Sequence, residues 1–165
     1  MMTRLLPAFA ILWSVASCAA AQATVRIEPP ANPQGPRVLE AQTASAVVRD
    51  YLQSWQSMSA ALEHNRADLL DADFVGAARD KLAKTVQEQA ALGVAAQYRD
   101  SSHDIQIVFY SPEGLSIELT DIVDYDVQVL DHDKTIANQH MHTRYVVVLT
   151  PTESRWKVRV FQAQS

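Results

Sequence analysis

The residue whose chemical type and position most strongly suggest a function is Asp121. It is the one carboxylate on the apolar face of residues 115–129, where leucine, isoleucine, valine and tyrosine recur at every second position. Burial raises the pKa of a carboxyl group, and a raised pKa suits general acid–base catalysis near neutral pH. The candidate catalytic residues are Asp121, His103 and Tyr51, with Tyr125 as a further partner of the carboxylate.

A second interpretation of Asp121 is structural, and it is the one we favour. A strand as long as residues 115–129 usually bends, and a β-bulge would interrupt its apolar face at Asp121. The carboxylate would then accept hydrogen bonds from backbone amides and remain ionised. We therefore predict a bulge at this position.

The sequence His140-Met141-His142 suggests a metal site, because alternate residues of a strand point to the same side. Zinc suits histidine and aspartate ligands, and copper suits histidine and methionine. The alternative is a set of polar residues at the mouth of a hairpin, since two histidines near carboxylates arise easily by chance. Further ligands would come from residues 131–140, which we predict to be a loop, and they are His132, Asp131 and Asp133.

Three aromatic residues, Trp55, Tyr51 and Tyr125, are candidates for lining a pocket that takes a small apolar ligand, as aromatic side chains often do. Trp55 and Tyr51 belong to one helical stripe, and Tyr125 lies on the apolar face of a strand. The alternative is that all three are ordinary core residues.

Composition excludes several classes of function. The net charge is −5 and there is no basic stripe, so nucleic acid is not an expected partner. The chain has four glycines, too few for the glycine-rich loops that bind phosphate. Its sequence also contains no nucleophile-elbow motif and no metalloprotease helix motif. The single cysteine, Cys18, precedes the domain, so thiolate catalysis, disulfides and cysteine-ligated metals are excluded there. No cofactor is expected.

The N-terminal residues predict export. Arg4 provides a positive charge, residues 5–17 are almost entirely apolar, and Ala21-Gln22-Ala23 fits an A-x-A cleavage site. We therefore predict a signal peptide over residues 1–23 and an exported protein, periplasmic or extracellular. The alternative is an uncleaved anchor, since residues 5–23 would just span a bilayer if tilted.

Cys18 offers a different processing site. Val15-Ala16-Ser17-Cys18 resembles a bacterial lipobox, in which the cysteine is lipidated and becomes the mature N-terminus, although valine replaces the usual leucine. The alternative is that Cys18 is a small apolar residue in the signal tail. In both, the chain meets the membrane only through a signal or a lipid anchor.

The remaining chain divides into a linker over residues 24–42 and a domain over residues 43–165. Proline at this density prevents helix and favours an extended spacer. The linker prolines are Pro29, Pro30, Pro33 and Pro36.

The elements of the domain follow from its apolar periodicity. A helical stripe runs from Ala44 to Leu62 and breaks near residues 64–65. A second helix is predicted over residues 73–92, with Asp73 as its N-cap and Gly93 just past its end. The period then becomes two, which predicts strands. They cover residues 105–109, 115–129, 141–150 and 155–163.

Helices followed by antiparallel strands indicate an α+β domain in which N-terminal helices pack on one face of a curved antiparallel sheet. This order of elements, the aromatic residues of the first helix and a last strand opening Arg155-Trp156-Lys157-Val158 resemble the nuclear-transport-factor-2-like superfamily over residues 44–162. The resemblance implies the cone fold. In ketosteroid isomerase and the polyketide cyclases of that superfamily, carboxylates and a Tyr or His project into the apolar pocket of the cone. No catalytic motif of those enzymes is matched residue by residue.

We expect an exported, non-enzymatic binding or assembly domain of the cone fold, because the chain combines an export signal and a linker with no complete catalytic set. Its expected partners are a small apolar ligand or a second copy, which would form a homodimer through the open sheet face at Val146, Val148 and Phe161. One alternative is a small isomerase, dehydratase or hydrolase that uses Asp121 or His103. Another is periplasmic metal binding through the histidine pair.

Overall fold

The computed structural model describes residues 22–30 and 37–164. The predicted signal peptide lies outside these residues except for Gln22 and Ala23, and so do the candidate lipidation site Cys18 and residues 31–36 of the predicted linker. No helix within the described part of the chain is both long and apolar enough to cross a membrane.

The first helix, α1 (Ala41–His64), buries one face along its length. Its apolar residues recur every three or four positions and so form a single stripe. The helix ends where the stripe breaks, at Asn65, whose φ of 53° is left-handed. The buried apolar residues of α1 are Val47, Val48, Tyr51, Trp55, Met58, Ala61 and Leu62.

A short 3-10 helix (Ala67–Leu70) leads to the second helix, α2 (Gly76–Ala91). The prediction that Asp73 caps α2 is wrong, because the helix begins three residues later and has no side-chain cap. Asp73 is buried instead and accepts hydrogen bonds from Ser57 and Arg155, which ties the inter-helix segment to α1 and to the C-terminal part of the chain. Gly93 lies just past α2 with φ 72°, a conformation that favours glycine.

Within the described residues, five strands form one sheet, in which they lie side by side in their order along the chain. The first pairs parallel to its neighbour, and all other pairs are antiparallel. Strands that follow one another from the second to the fifth are therefore also neighbours in the sheet. The strands are β1 (Thr24–Ile27), β2 (Val94–Tyr110), β3 (Ile117–Asp131), β4 (Lys134–Pro151) and β5 (Trp156–Gln164).

The strand β1 lies inside the segment predicted to be a linker. It pairs with residues 102–105 of β2, and all four of its residues are exposed. Proline does not prevent this pairing, because the first proline of the segment is Pro29 and an edge strand uses only one side of its backbone.

The loop predicted over residues 131–140 is wrong. A tight turn at His132 and Asp133 joins β3 to β4, and His132 takes a left-handed φ of 55°. β4 therefore begins at Lys134, and its residues 134–140 are exposed on both faces. A strand that is exposed to solvent on both faces has no alternation of apolar and polar residues. The sequence therefore does not predict a strand there.

The bulge predicted at Asp121 is also wrong. Asp121 pairs in unbroken register with Ile105 on β2 and Tyr145 on β4. Register shifts occur elsewhere, among them one between Asp100 and Ser102 on β2. These shifts leave Asp121 in a regular part of β3.

The core lies between the two helices and one face of the sheet, the inner face. The inner residues of the two central strands are fully buried at Leu119, Val123 and Val147. Phe161, predicted on the open face, points inward, where its ring contacts Trp55 and Phe74. The opposite, outer face carries Val146 and Val148, as their positions between inward-pointing neighbours require.

Candidate functional site

The three candidate catalytic residues come together in the core. Tyr51 lies on α1, His103 on β2 and Asp121 on β3. The hydroxyl of Tyr51 donates to Oδ2 of Asp121 at 2.7 Å, and Nδ1 of His103 lies 2.7 Å from the same oxygen. All three side chains are buried. The carboxylate is therefore held by side chains of two other elements and not by the backbone amides of a bulge.

The network continues outward through Asp100, a residue that the sequence analysis missed. Its Oδ2 lies 3.1 Å from Nε2 of His103, and its side chain is 35% exposed. Residues three apart on a regular strand face opposite sides. The register shift between Asp100 and Ser102 turns Asp100 to the side of His103. A bulge leaves no periodic signal, so the one signal available in the sequence was an acidic residue three positions before a histidine.

His103 lies between two carboxylates and carries a positive charge at neutral pH. Burial by itself lowers the pKa of an imidazole, but hydrogen bonds to Asp100 and Asp121 raise the pKa of His103 from 6.5 to about 9. Both ring nitrogens then carry protons and donate. The same hydrogen bond lowers the pKa of the Asp100 carboxyl.

Tyr51 acts as a neutral donor. Burial and the neighbouring charge of Asp121 raise the pKa of Tyr51 well above its ordinary value of 10. Its hydroxyl also accepts a hydrogen bond from Nε1 of Trp55 at 2.8 Å. Oδ1 of Asp121 is buried and has no hydrogen-bond partner among the described residues.

A cavity of about 390 Å³ reaches the outer end of this network. It is bounded by α1, by β2 and by the N-terminal segment that includes β1. The histidine and its outer carboxylate thus face space that a small molecule could enter. The lining residues are Gln22, Ala23, Val25, Leu52, Gln56, Asp100 and His103.

Comparison with family models and with curated proteins gave no match. Solved structures do resemble the chain. The intermembrane space region of the chloroplast protein ARC6 aligns with 78% of this chain and 99% of its own, with a TM-score of 0.64 and 16% identity. A scytalone dehydratase-like protein from Novosphingobium aromaticivorans aligns with 76% of this chain and 89% of its own, with a TM-score of 0.52 and 17% identity. The fold is the nuclear-transport-factor-2-like cone. The α+β class and the cone predicted from the sequence are confirmed.

Aromatic rings occupy the interior of the cone. The candidate pocket residues Trp55, Tyr51 and Tyr125 are brought together there, but as packed core residues. The Trp55 ring makes edge contacts with four rings at centroid distances of 5.1 to 5.7 Å. The hydroxyls of Tyr125 and Tyr145 lie 2.8 Å apart and satisfy each other. The rings around Trp55 are His103, Tyr125, Tyr145 and Phe161.

The candidate metal ligands His140 and His142 lie side by side on the outer face of β4. Each places Nδ1 against a carboxylate of β3, Asp126 at 3.0 Å and Asp124 at 2.6 Å. Among the residues that the structure describes, no three His, Cys, Asp or Glu side chains form a group able to hold a metal ion.

The other proposed metal ligands are too far from this pair. His132, Asp131 and Asp133 belong to the turn between β3 and β4, and six residues of extended strand separate that turn from His140. At about 3.3 Å per residue this is roughly 20 Å. His132 instead places Nδ1 2.7 Å from Oδ1 of Asp131.

Proposed function

We propose that the chain is an exported, non-enzymatic binding or assembly domain. The observation that carries this proposal is the filling of the cone by Trp55, a residue that is 2% exposed and whose ring packs against four other rings. A ligand could enter the interior only by displacing this side chain, at a cost of several kcal/mol of lost packing. We therefore expect the binding surface to lie on the outside of the domain.

The polar network in the core supports the same proposal. Tyr51 and His103 both have their polar atoms engaged, the histidine by a carboxylate on each side. A buried charged group whose partners are all within the fold fixes the arrangement of the elements that carry it. In this role the network locks α1 to β2 and β3.

The outer sheet face is the surface that we assign to assembly, through a second copy of the chain. Val146 pairs with Thr120 across the sheet, and Val148 lies two residues further along β4. Ile122 is 36% exposed on the same face of β3. Packing of two such faces against each other would bury these three apolar side chains, which are otherwise in contact with water.

Sedimentation of the purified domain over a range of concentrations tests this assignment. We expect a monomer–dimer equilibrium that Val146→Arg shifts to monomer, since a buried arginine without a partner is costly. Leu92→Arg is the matched control, because Leu92 is 78% exposed just after α2 and away from the sheet face. A monomeric wild type at all concentrations, or equal effects of the two variants, would remove the homodimer.

The similarity to the intermembrane space region of ARC6 supports the export of this domain. That region is a cone in a compartment bounded by membranes, as a periplasmic domain would be.

A second candidate function is acid–base catalysis, and one observation favours it. The hydrogen-bonded series Asp121, His103 and Asp100 ends at the cavity of about 390 Å³, so a proton could pass between the cavity and the core. The protonated histidine would act as a general acid in an isomerisation or dehydration. The scytalone dehydratase-like neighbour has the same fold.

Proton exchange tests the catalytic candidate without knowledge of the substrate. Small ketones and β-hydroxycarbonyl compounds are incubated with the protein in deuterated buffer, and NMR follows deuterium incorporation next to the carbonyl. Catalysis predicts incorporation that His103→Gln abolishes and that His132→Gln, a change in the distant turn, leaves intact. The binding proposal predicts no incorporation above the uncatalysed rate with either protein.

A further inference from the structure

The outer face of β4 carries two histidines that each use only one ring nitrogen within the fold. Nδ1 of His140 lies 3.0 Å from Oδ1 of Asp126, and Nδ1 of His142 lies 2.6 Å from Oδ1 of Asp124. Neither Nε2 atom has a hydrogen-bond partner among the described residues. The two side chains are 65% and 68% exposed. Nε2 of each histidine is therefore the nitrogen that is free to bind something outside the domain.

The contacts of these histidines are those that zinc ligands make in proteins. A zinc-bound imidazole uses one ring nitrogen for the ion and almost always donates the other N–H to a carboxylate, a backbone carbonyl or a water, which fixes the tautomer and the orientation of the ring. Here both histidines have a carboxylate in that position. One of the two carboxylates is itself held, because the hydroxyl of Ser102 donates to Oδ2 of Asp124 at 2.9 Å.

The spacing of the pair allows both Nε2 atoms to reach one ion. Residues two apart on a strand point to the same side and are roughly 6.6 Å apart along it, a gap that two imidazole rings leaning together can close. Met141 lies between them, but its side chain packs against the core. The thioether that would favour copper is therefore on the other face, and nitrogen ligands of this kind suit zinc.

One chain supplies only half of such a site. Structural zinc is almost always held by four ligands in a tetrahedron. Among the described residues, no three His, Cys, Asp or Glu side chains form a group able to hold a metal ion. A second copy of the chain would supply the two missing ligands, because it carries the same pair.

We propose that one zinc ion joins two copies of this chain through their outer sheet faces, bound by Nε2 of His140 and His142 from each copy. The proposal rests on the proposed assembly through this face and names the ion that regulates it. Asp124 and Asp126 position the ligands. The ion would also be attracted by the four carboxylates behind the histidines, two from each copy.

The zinc site and the apolar part of the face are compatible with one dimer. Val146 lies four residues after His142 on the same face of β4, and Val148 follows two residues later. Residues on a two-fold axis meet their own copies. An axis running along β4 would therefore bring together the histidine pairs at one end and the valines at the other. Arg144, which lies between them, is exposed, and its long side chain can extend to the side of the axis.

Sedimentation equilibrium of the purified protein, with EDTA or with zinc chloride, tests the proposal. A ligand that binds the dimer and not the monomer strengthens the dimer, so we expect zinc to lower the dissociation constant of the dimer at least about tenfold. Calorimetry with zinc should give one ion for two chains. One ion for each chain on a monomeric protein, or no binding of zinc, would overturn the proposal.

Three variants identify the residues that hold the ion. His142→Ala should abolish the effect of zinc on the dimer, and His132→Ala, the matched control in the distant turn, should leave it intact. Asp126→Asn keeps all the ligands and should weaken zinc binding about 10- to 100-fold, the usual result of removing the carboxylate behind a ligating histidine. An effect of zinc that survives His142→Ala would refute the site, and an unchanged affinity in Asp126→Asn would refute the role of the carboxylate.

The measurements in EDTA separate this proposal from the homodimer itself. A dimer in EDTA that zinc does not strengthen overturns the zinc site and leaves the homodimer standing. A protein that is monomeric in EDTA and dimeric in zinc supports the proposal and shows that assembly requires the ion. A monomer under both conditions removes both.

Discussion

Nδ1 of His103 donates to Oδ2 of Asp121 across 2.7 Å, in a part of the core where neither side chain is exposed. The two residues lie on neighbouring antiparallel strands, two positions out of alignment, and both point to the inner face. A second carboxylate, Asp100, holds the other ring nitrogen of the histidine. The core of this domain therefore contains a charged histidine, and three predictions concern it and the surrounding residues.

The stability of the domain should fall as the pH rises from about 6.5 to about 9. The pKa of His103 is about 9 in the folded protein and 6.5 in the unfolded chain, so its protonation favours the folded state below the lower value. This contribution is lost as the pH passes the folded value, and it corresponds to about 3 kcal/mol. Chemical unfolding at a series of pH values measures the free energy of unfolding.

The control for the pH effect is His103→Gln, whose free energy of unfolding should not show this component. The difference between the wild-type and variant curves isolates the histidine from the other titrating groups. Parallel curves between pH 6.5 and 9 would mean that His103 is neutral in the folded protein.

Asp121→Asn should destabilise the domain. A neutral carboxylic acid in an empty pocket would instead be replaced by asparagine without loss of stability. The substitution leaves the His103 imidazolium with one carboxylate fewer in the interior, and loss of one partner of a buried pair costs about 3–5 kcal/mol. The double variant Asp121→Asn/His103→Gln should be less destabilised than the sum of the single variants, with a coupling of about 0.5–3 kcal/mol. Denaturant unfolding of the four proteins measures it, and simple additivity would show that the two side chains do not interact.

Trp55→Ala should cost about 3–5 kcal/mol of stability, the usual range for removing a large buried aromatic side chain. Trp55→Phe is the matched control, because it keeps one aromatic ring among the neighbouring aromatics while it removes the second ring of the indole and the hydrogen bond from Nε1 to Tyr51. We expect the phenylalanine variant to lose less stability. A loss below about 1 kcal/mol in Trp55→Ala would show that the cone has room for a ligand at this position.

Metal binding at His140 and His142 remains a prediction of the sequence, and calorimetry with zinc and with copper tests it. Both Nδ1 atoms face carboxylates, so an ion would bind the two Nε2 atoms. His142→Ala should abolish the heat. His132→Ala should not, because His132 lies in the distant turn. Equal heats in the wild type and in both variants would show that His140 and His142 do not form the metal site.

Several features were predictable because they depend on local pattern. Apolar residues repeat every three or four positions in α1, from Ala44 to Leu62, and every second position around Asp121 in β3. These repeats arise because one face of each element packs in the core, so they can be detected in the sequence. Where both faces of a strand are exposed to solvent, as over residues 134–140, apolar and polar residues do not alternate, and the sequence predicts a loop. The turn at His132 was likewise hidden in a polar run.

The sequence by itself determined the α+β class, the cone fold and the unusual position of Asp121 among apolar residues. Only the tertiary structure decided what Asp121 contacts, because its partners Tyr51 and His103 are 70 and 18 residues away in the chain. The bulge that turns Asp100 towards His103 was equally hidden, since it depends on how β2 registers with β3. Contacts of this kind arise from the packing of separate elements, and no spacing along the chain encodes them.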